Sequence, residues 1–166
     1  MMKIPLSQHG KNKGKFFVLV DDEDYKELNK YNWHLRRGPH TFYAIRNDNH
    51  TTVYMHRILT KAKIGQLVDH RDLNGLNNQK YNLRICNQAE NIRNGRRRQN
   101  NTLGFKGVTF HKKTKKYQAR VGYENKRVYL GLFNTPIEAA KIYNRKAIEL
   151  YGEFARINII PGENAS

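Results

Sequence analysis

Between Ile92 and Tyr123 the chain carries ten Lys or Arg residues and not one Asp or Glu. With only 38% hydrophobic residues in 166, such a chain does not build one large core; two or three small cores stitched by basic loops fit better. The first part of the stretch, RNGRRRQNNTLG (93–104), has no apolar periodicity and reads as a linker. The excess of cations, a net charge of +17, points to a polyanion. Nucleic acid leads, and an anionic membrane surface ranks second because no long amphipathic helix is available to lie on one. Five of the 14 acids (Asp21, Asp22, Glu23, Asp24 and Glu27) fall in one short stretch.

No apolar run approaches the roughly 18 residues of a membrane span. The start of the chain, MMKIPLSQHGKNKGK, lacks the apolar segment of a signal peptide. The one cysteine, Cys86, excludes an intrachain disulfide and a cysteine-rich zinc site. The expectation is a cytoplasmic protein with no membrane and no obligate protein partner.

The pattern predicts an α+β chain in four parts: a small mixed unit over 1–63, a central unit over 64–94, a basic linker over 95–103 and a C-terminal module over 104–160. In the first, KFFVLV (15–20) reads as a strand and Asp22–Asn29 as a short helix with carboxylates at its positive end. FYAIR (42–46) and TVYMHR (52–57) read as strands joined by a polar turn at Asn47-Asp48-Asn49. In the second, QLVDH (66–70) is a strand, RDLNGLNNQKYN a long polar loop and LRI (83–85) a second strand. Asn87-Gln88-Ala89-Glu90 has the capping-box pattern, so a helix starts near Gln88 and carries Asn91.

The C-terminal module predicts three antiparallel strands and one helix. Thr135-Pro136-Ile137-Glu138 is a second capping box with Pro at the first helical position, and Gly152 is the stop. Ala139, Ala140, Tyr143, Ala147 and Leu150 share one helix face. Alternation places Val108, Phe110, Tyr117, Ala119, Val121, Val128, Leu130 and Leu132 toward that helix. Thr109, His111, Gln118, Arg120, Arg127 and Tyr129 fall on the other face.

The central unit gathers residue types suited to phosphodiester hydrolysis, which needs a base for water and a cation for the phosphoryl charge. His70 suits the first role, its ordinary pKa being about 6.5. Asp69 and Asn91 offer hard oxygens that suit Mg2+ better than zinc. Asn82 can hydrogen-bond the loop and hold the backbone or ring of His70. Adjacent strand residues point apart, so Asp69 and His70 share a site only where the backbone bends.

The series V-D-H, L-N-N-x-x-x-N-L-R and Q-x-x-N, preceded by Y-M-H-R, resembles the HNH endonucleases over residues 53–94, in the Asn-ending branch common among phage and intron homing enzymes. The resemblance implies a ββα-metal motif with His70 as general base, Asn82 as its supporting residue, and Asp69 and Asn91 as ligands of a divalent cation, Mg2+ before others. His56 and Asn78 match family positions as supporting residues, His56 as a packed strand histidine.

The C-terminal elements G-V, Y-L-G-x-F, T-x-x-E-A-A and G-x-x-A-x-x-N resemble the Apetala/ethylene-response-factor DNA-binding domain from about Gly104 to Asn158. That resemblance implies double-stranded DNA as partner, met by Lys106, Thr109, His111, Gln118, Arg120, Arg127 and Tyr129. Some family arginines and tryptophans are Thr, His or Tyr here, so base preference does not carry over. The linker arginines Arg96, Arg97 and Arg98 suit minor-groove or phosphate contact. Together these features predict a site-selective, metal-dependent DNA endonuclease of homing or phage type. The alternatives are a catalytically inactive DNA-binding regulator and an RNA-binding protein.

Overall fold

The computed structural model describes residues 1–6, 14–95, 101–124 and 126–162. The chain divides into two compact units, Met1–Asn91 and Ile92–Ser166, of mixed α+β build. Among the described residues no helix is long and apolar enough to cross a membrane.

The first unit opens with β1 (Met2–Pro5), which pairs antiparallel with β2 (Phe17–Val20). No strand was expected so near the start of the chain. It forms because Ile4 and Leu6 bury against Val18 and Val20 in one core with Leu28, Trp33, Ala44 and Met55. Helix α1 (Asp22–Leu28) carries Asp22, Glu23 and Asp24 in its first turn, where the helix dipole favours them. Trp33 Nε1 donates to Leu28 O at 2.8 Å and so holds the chain where it leaves that helix.

Strands β3 (His34–Arg37), β4 (Phe42–Asp48) and β5 (Thr51–Tyr54) form an antiparallel sheet. The hairpin turn is Asn49-His50, both at positive φ as a tight two-residue turn requires, so pairing continues through Asp48. The strand expected over 52–57 stops at Tyr54. Helix α2 (Met55–Thr60) follows, because Met55 and Leu59, one helical turn apart, both pack on the core. His56 is therefore a helical residue and not a strand residue.

Strands β6 (Leu67–His70) and β7 (Leu83–Cys86) pair antiparallel, Asp69 opposite Arg84 and His70 opposite Leu83. Helix α3 (Gln88–Asn94) starts in a capping box: Glu90 N donates to Asn87 Oδ1 at 2.9 Å and Asn87 N to Glu90 Oε2 at 2.8 Å. The loop between β6 and β7 docks on β2, with Leu19 N donating to Leu76 O and Asn78 N to Leu19 O, each at 2.8 Å. The acidic stretch receives the end of this loop. Asp21 accepts from Lys80 N at 2.7 Å and Gln79 Nε2 at 3.1 Å, and Lys80 Nζ pairs with Glu23 and Asp24. These ties place the segments 1–63 and 64–91 in one compact unit.

In the second unit β8 (Val108–His111), β9 (Lys116–Tyr123) and β10 (Lys126–Phe133) form a sheet with β9 central, and α4 (Pro136–Tyr151) packs on one face through Ala139, Ala140, Tyr143 and Ala147. Thr135 and Glu138 make the expected capping box. Asn158 fastens the tail: its amide bonds both backbone groups of Lys106 (2.6 and 3.1 Å), while its own backbone bonds the Asn144 amide (2.6 and 2.8 Å).

The expected inward position of Leu132 is corrected. The register of β10 against β9 shifts between Tyr129 and Gly131, so one extra residue enters the strand. Beyond the bulge Leu132 pairs with Gln118 and faces away from α4, and Phe133 packs into the core in its place. Gly131 supplies the φ of +129° at the bulge. Phe110 also departs from expectation. It lies on the helix side by register, but at the sheet edge it stays 47% exposed against Tyr117.

Candidate active site and polar sheet face

The loop from Arg71 to Asn82 is built by its own amides and carboxylates. Asn82 Oδ1 accepts from Asp72 N at 3.0 Å, and Asn82 Nδ2 donates to Asp72 Oδ1 (2.9 Å) and Asn77 O (2.7 Å). Asp72 also accepts from Asn74 N and Asn77 Nδ2, each at 2.8 Å. Asn82 is fully buried and anchors both ends of the loop, since Asn82 O accepts from Arg71 N at 2.9 Å. Of the two roles open to it, Asn82 thus takes the loop and the backbone next to His70, not the ring.

Gly75 lets this loop close on β4. A Cβ there would lie 2.4 Å from Phe42 O and 2.7 Å from the Tyr43 ring. A Gly75→Ala protein is expected to lose about 1–3 kcal/mol of stability through overpacking. The check is its urea midpoint beside the wild type, and an unchanged midpoint contradicts the packing.

His70, at the end of β6, is buried, and its Nε2 meets Asn78 Oδ1 at 2.9 Å. With Nε2–H donating to that oxygen, the tautomer leaves Nδ1 as the proton-accepting nitrogen. The ring sits edge-to-face on His56 (centroids 5.2 Å, 86°) and 6.1 Å from Tyr43. Tyr43 and Tyr54 in turn pack on His56 at 5.4 and 5.3 Å. Burial pulls the His70 pKa below its usual 6.5, against the Asn78 hydrogen bond and the charges of Asp72 and Asp69. His56 is depressed to about 3 by burial, then by His70 and Arg57. Both imidazoles are therefore neutral at neutral pH, and neutrality is what a general base requires. His56 Nδ1 and Asn78 Nδ2, both on residues that touch the His70 ring, are buried without a hydrogen-bond partner.

Asp69 is buried and faces Arg84, whose Nε and Nη2 both donate to Asp69 Oδ2 at 2.8 and 2.6 Å. Its charge reaches the neighbouring rings, raising the pKa of Tyr43 after burial and Tyr54. Asn91 lies half-buried on α3, one turn beyond the Asn87 cap. Among the described residues no three His, Cys, Asp or Glu side chains gather to cage a metal. A carboxylate and an amide suit instead a hard ion that keeps most of its waters, as Mg2+ does. Asp69 and Asn91 fit that ion by donor chemistry, with the Arg84 guanidinium competing for the same carboxylate.

Sequence reasoning did not single out Arg84, Tyr43 or Tyr54, and it ranked Asn78 only as supporting. The signals were present in N-L-R, F-Y-A-I-R and Y-M-H-R, but nothing local says which side chain meets which. On the C-terminal sheet, Thr109, Arg120, Arg127 and Tyr129 are exposed on the face away from α4, with Gln118 and His111 beside them. Lys106 is not on that face. Its Nζ donates to Arg93 O (2.6 Å) and Gly95 O (2.8 Å) at the end of α3, and burial beside Arg156 lowers its pKa to about 8. The carbonyls at a helix end attract the ammonium, so Lys106 is a structural contact. Arg96, Arg97 and Arg98 lie outside the described residues.

A compact α+β unit with a buried Asp-His strand end, an Asn-built loop and a following capped helix defines a small protein with an imidazole-centred polar site. The chain is 33% identical over 154 residues to a protein of Acanthamoeba polyphaga mimivirus described as an uncharacterized HNH endonuclease, covering 91% of this chain and 79% of that one. The chain belongs to the HNH endonuclease family. It is also 34% identical over 92 residues to Protein 3.8 of Escherichia phage T7, covering 55% of this chain and 75% of the phage protein. A further match, 46% identical over 59 residues, is to APETALA2-like protein 2 of Oryza sativa, covering 34% of this chain and 13% of that protein. No family model and no solved structure matches the chain.

Proposed function

We propose that this protein is a site-selective, Mg2+-dependent DNA endonuclease of the Asn-ending HNH branch, joined to an Apetala-type DNA-binding module. The observation that carries this reading is the buried, neutral His70, oriented by Asn78 at 2.9 Å on a loop that Asn82 holds together. His70 Nδ1 takes the proton of the attacking water. Asn78 fixes the ring and its tautomer, and Asn82 positions the strand end. The His56 and Tyr43 rings limit how the imidazole can turn. The unpartnered His56 Nδ1 and Asn78 Nδ2 support a place for a polar reactant there. Asp69 and Asn91 would hold Mg2+, which when bound supplies charge neutralisation at the phosphoryl group. Thr109, His111, Gln118, Arg120, Arg127 and Tyr129 position the duplex.

A second reading, a DNA-binding regulator that does not cut, is favoured by one observation: Arg84 already neutralises Asp69. Incubation of supercoiled plasmid with the purified chain separates the two. Nicked or linear product in Mg2+, and none in chelator, is the expected result. Intact plasmid with retained gel shift supports the regulator.

A further inference from the structure

The bulge after Tyr129 turns one apolar side chain onto a face that is otherwise polar. Leu132 stands opposite Gln118, and Gln118 stands opposite Thr109, so the three side chains form one row across β10, β9 and β8. Val128, Leu130 and Phe133 pack against the core, whereas Leu132 belongs to neither core cluster of this unit. The adjoining row is Arg120 opposite Tyr129. A half-buried leucine on a sheet face means little by itself. This one is defined by its neighbours, since directly opposed side chains have Cβ atoms about 4.5–5.5 Å apart, within the span of one base-pair edge.

We infer that Leu132 contacts a thymine 5-methyl group, so that the row Thr109–Gln118–Leu132 selects an A·T pair in the major groove. The inference rests on the reading that this face meets DNA. The methyl is the apolar group that distinguishes thymine on the major-groove edge, and adenine presents the N6 donor and N7 acceptor that a Gln carboxamide matches. Gln118 supplies that carboxamide, and Leu132 and the Thr109 methyl supply apolar surface. Arg120, in the next row, has the geometry that suits guanine. Had the strand run without the bulge, Leu132 would turn toward α4 and Gly131 would stand opposite Gln118, leaving the Thr109 methyl as the one apolar group of the row. The extra residue thus changes which base the sheet can select.

The test uses the full chain in chelator, so that binding is read without cleavage. A duplex enriched by the protein from a randomised pool is labelled, and its thymines are replaced one at a time by deoxyuridine, which removes only the methyl. Anisotropy titration is expected to show about a fourfold loss of affinity at one or two thymines, the equivalent of one buried methyl group. Leu132→Ser is expected to bind more weakly and to ignore that same methyl, and Leu132→Val, which keeps strand propensity and an apolar side chain, to retain the discrimination in part. A flat deoxyuridine scan, an enriched pool with no recurring A·T position, or a Leu132→Ser protein that still senses the methyl overturns the inference. If Arg120→Ala and Arg127→Ala both bind as the wild type does, the reading that this face meets DNA fails instead.

Discussion

A His70→Ala protein will bind DNA as the wild type does and cleave it about a hundred to ten thousand times more slowly, the range a positioned base contributes. The substitution removes the imidazole that takes the proton from water, but little surface that touches DNA, because His70 is only 6% exposed. It also leaves a gap beside His56 and Tyr43. His70→Gln is therefore the better-filled control: its carboxamide can still bond Asn78 but holds no basic nitrogen. Plasmid cleavage rates and anisotropy on the same preparations read both effects. A wild-type rate in either variant sinks the assignment. The pH profile carries a second mark. The working form is neutral and burial lowers the His70 pKa, so the acid limb of the rate lies below the ordinary 6.5. An acid limb above 6.5 would place the titrating base elsewhere.

Removal of the Arg84 guanidinium is expected to have the largest effect on stability. Arg84→Ala leaves the Asp69 carboxylate, 4% exposed, without its bidentate donor. Stranding one partner of a buried pair costs about 3–5 kcal/mol, whereas replacing both partners costs far less. Arg84→Met alone should therefore unfold at much lower urea concentration, and Arg84→Met with Asp69→Asn should recover most of the loss. The pair also bears on the ion. If Asp69 holds Mg2+, the cation can take over the neutralising role, and added Mg2+ will raise the melting temperature of Arg84→Ala more than that of the wild type. Equal responses to Mg2+ count against Asp69 as a ligand.

How much was readable from sequence depended on how local each determinant is. The two capping boxes, at Asn87 and Thr135, involve partners three residues apart and appear as expected. The acidic start of α1 and the alternation in β9 are equally short-range. Tyr-Met-His-Arg misled because four residues do not separate a strand end from a helix start. The choice was made by Met55 and Leu59 reaching a core whose other members include Ile4 of β1, Val18 and Val20 of β2, Leu28 of α1 and Ala44 of β4. Leu132 misled because one inserted residue reverses every later side chain, and strict alternation has no place for it. Lys106 was expected among the DNA contacts, but the carbonyls of Arg93 and Gly95 hold its ammonium instead.

The sequence alone determined the charge that makes a polyanion the natural partner, the order of strand, polar loop, strand and capped helix, and the residue types available for hydrolysis. Those follow from composition and from contacts within a few positions of the chain. Tertiary structure decided the rest: that Asn78 rather than Asn82 holds the His70 ring, that Arg84 meets Asp69, that His56 packs edge-to-face on the same imidazole, and that Leu132 faces outward. Each of these joins separate elements or turns on strand register. Spacing along the chain is silent on such contacts, because packing selects them only after the elements have met.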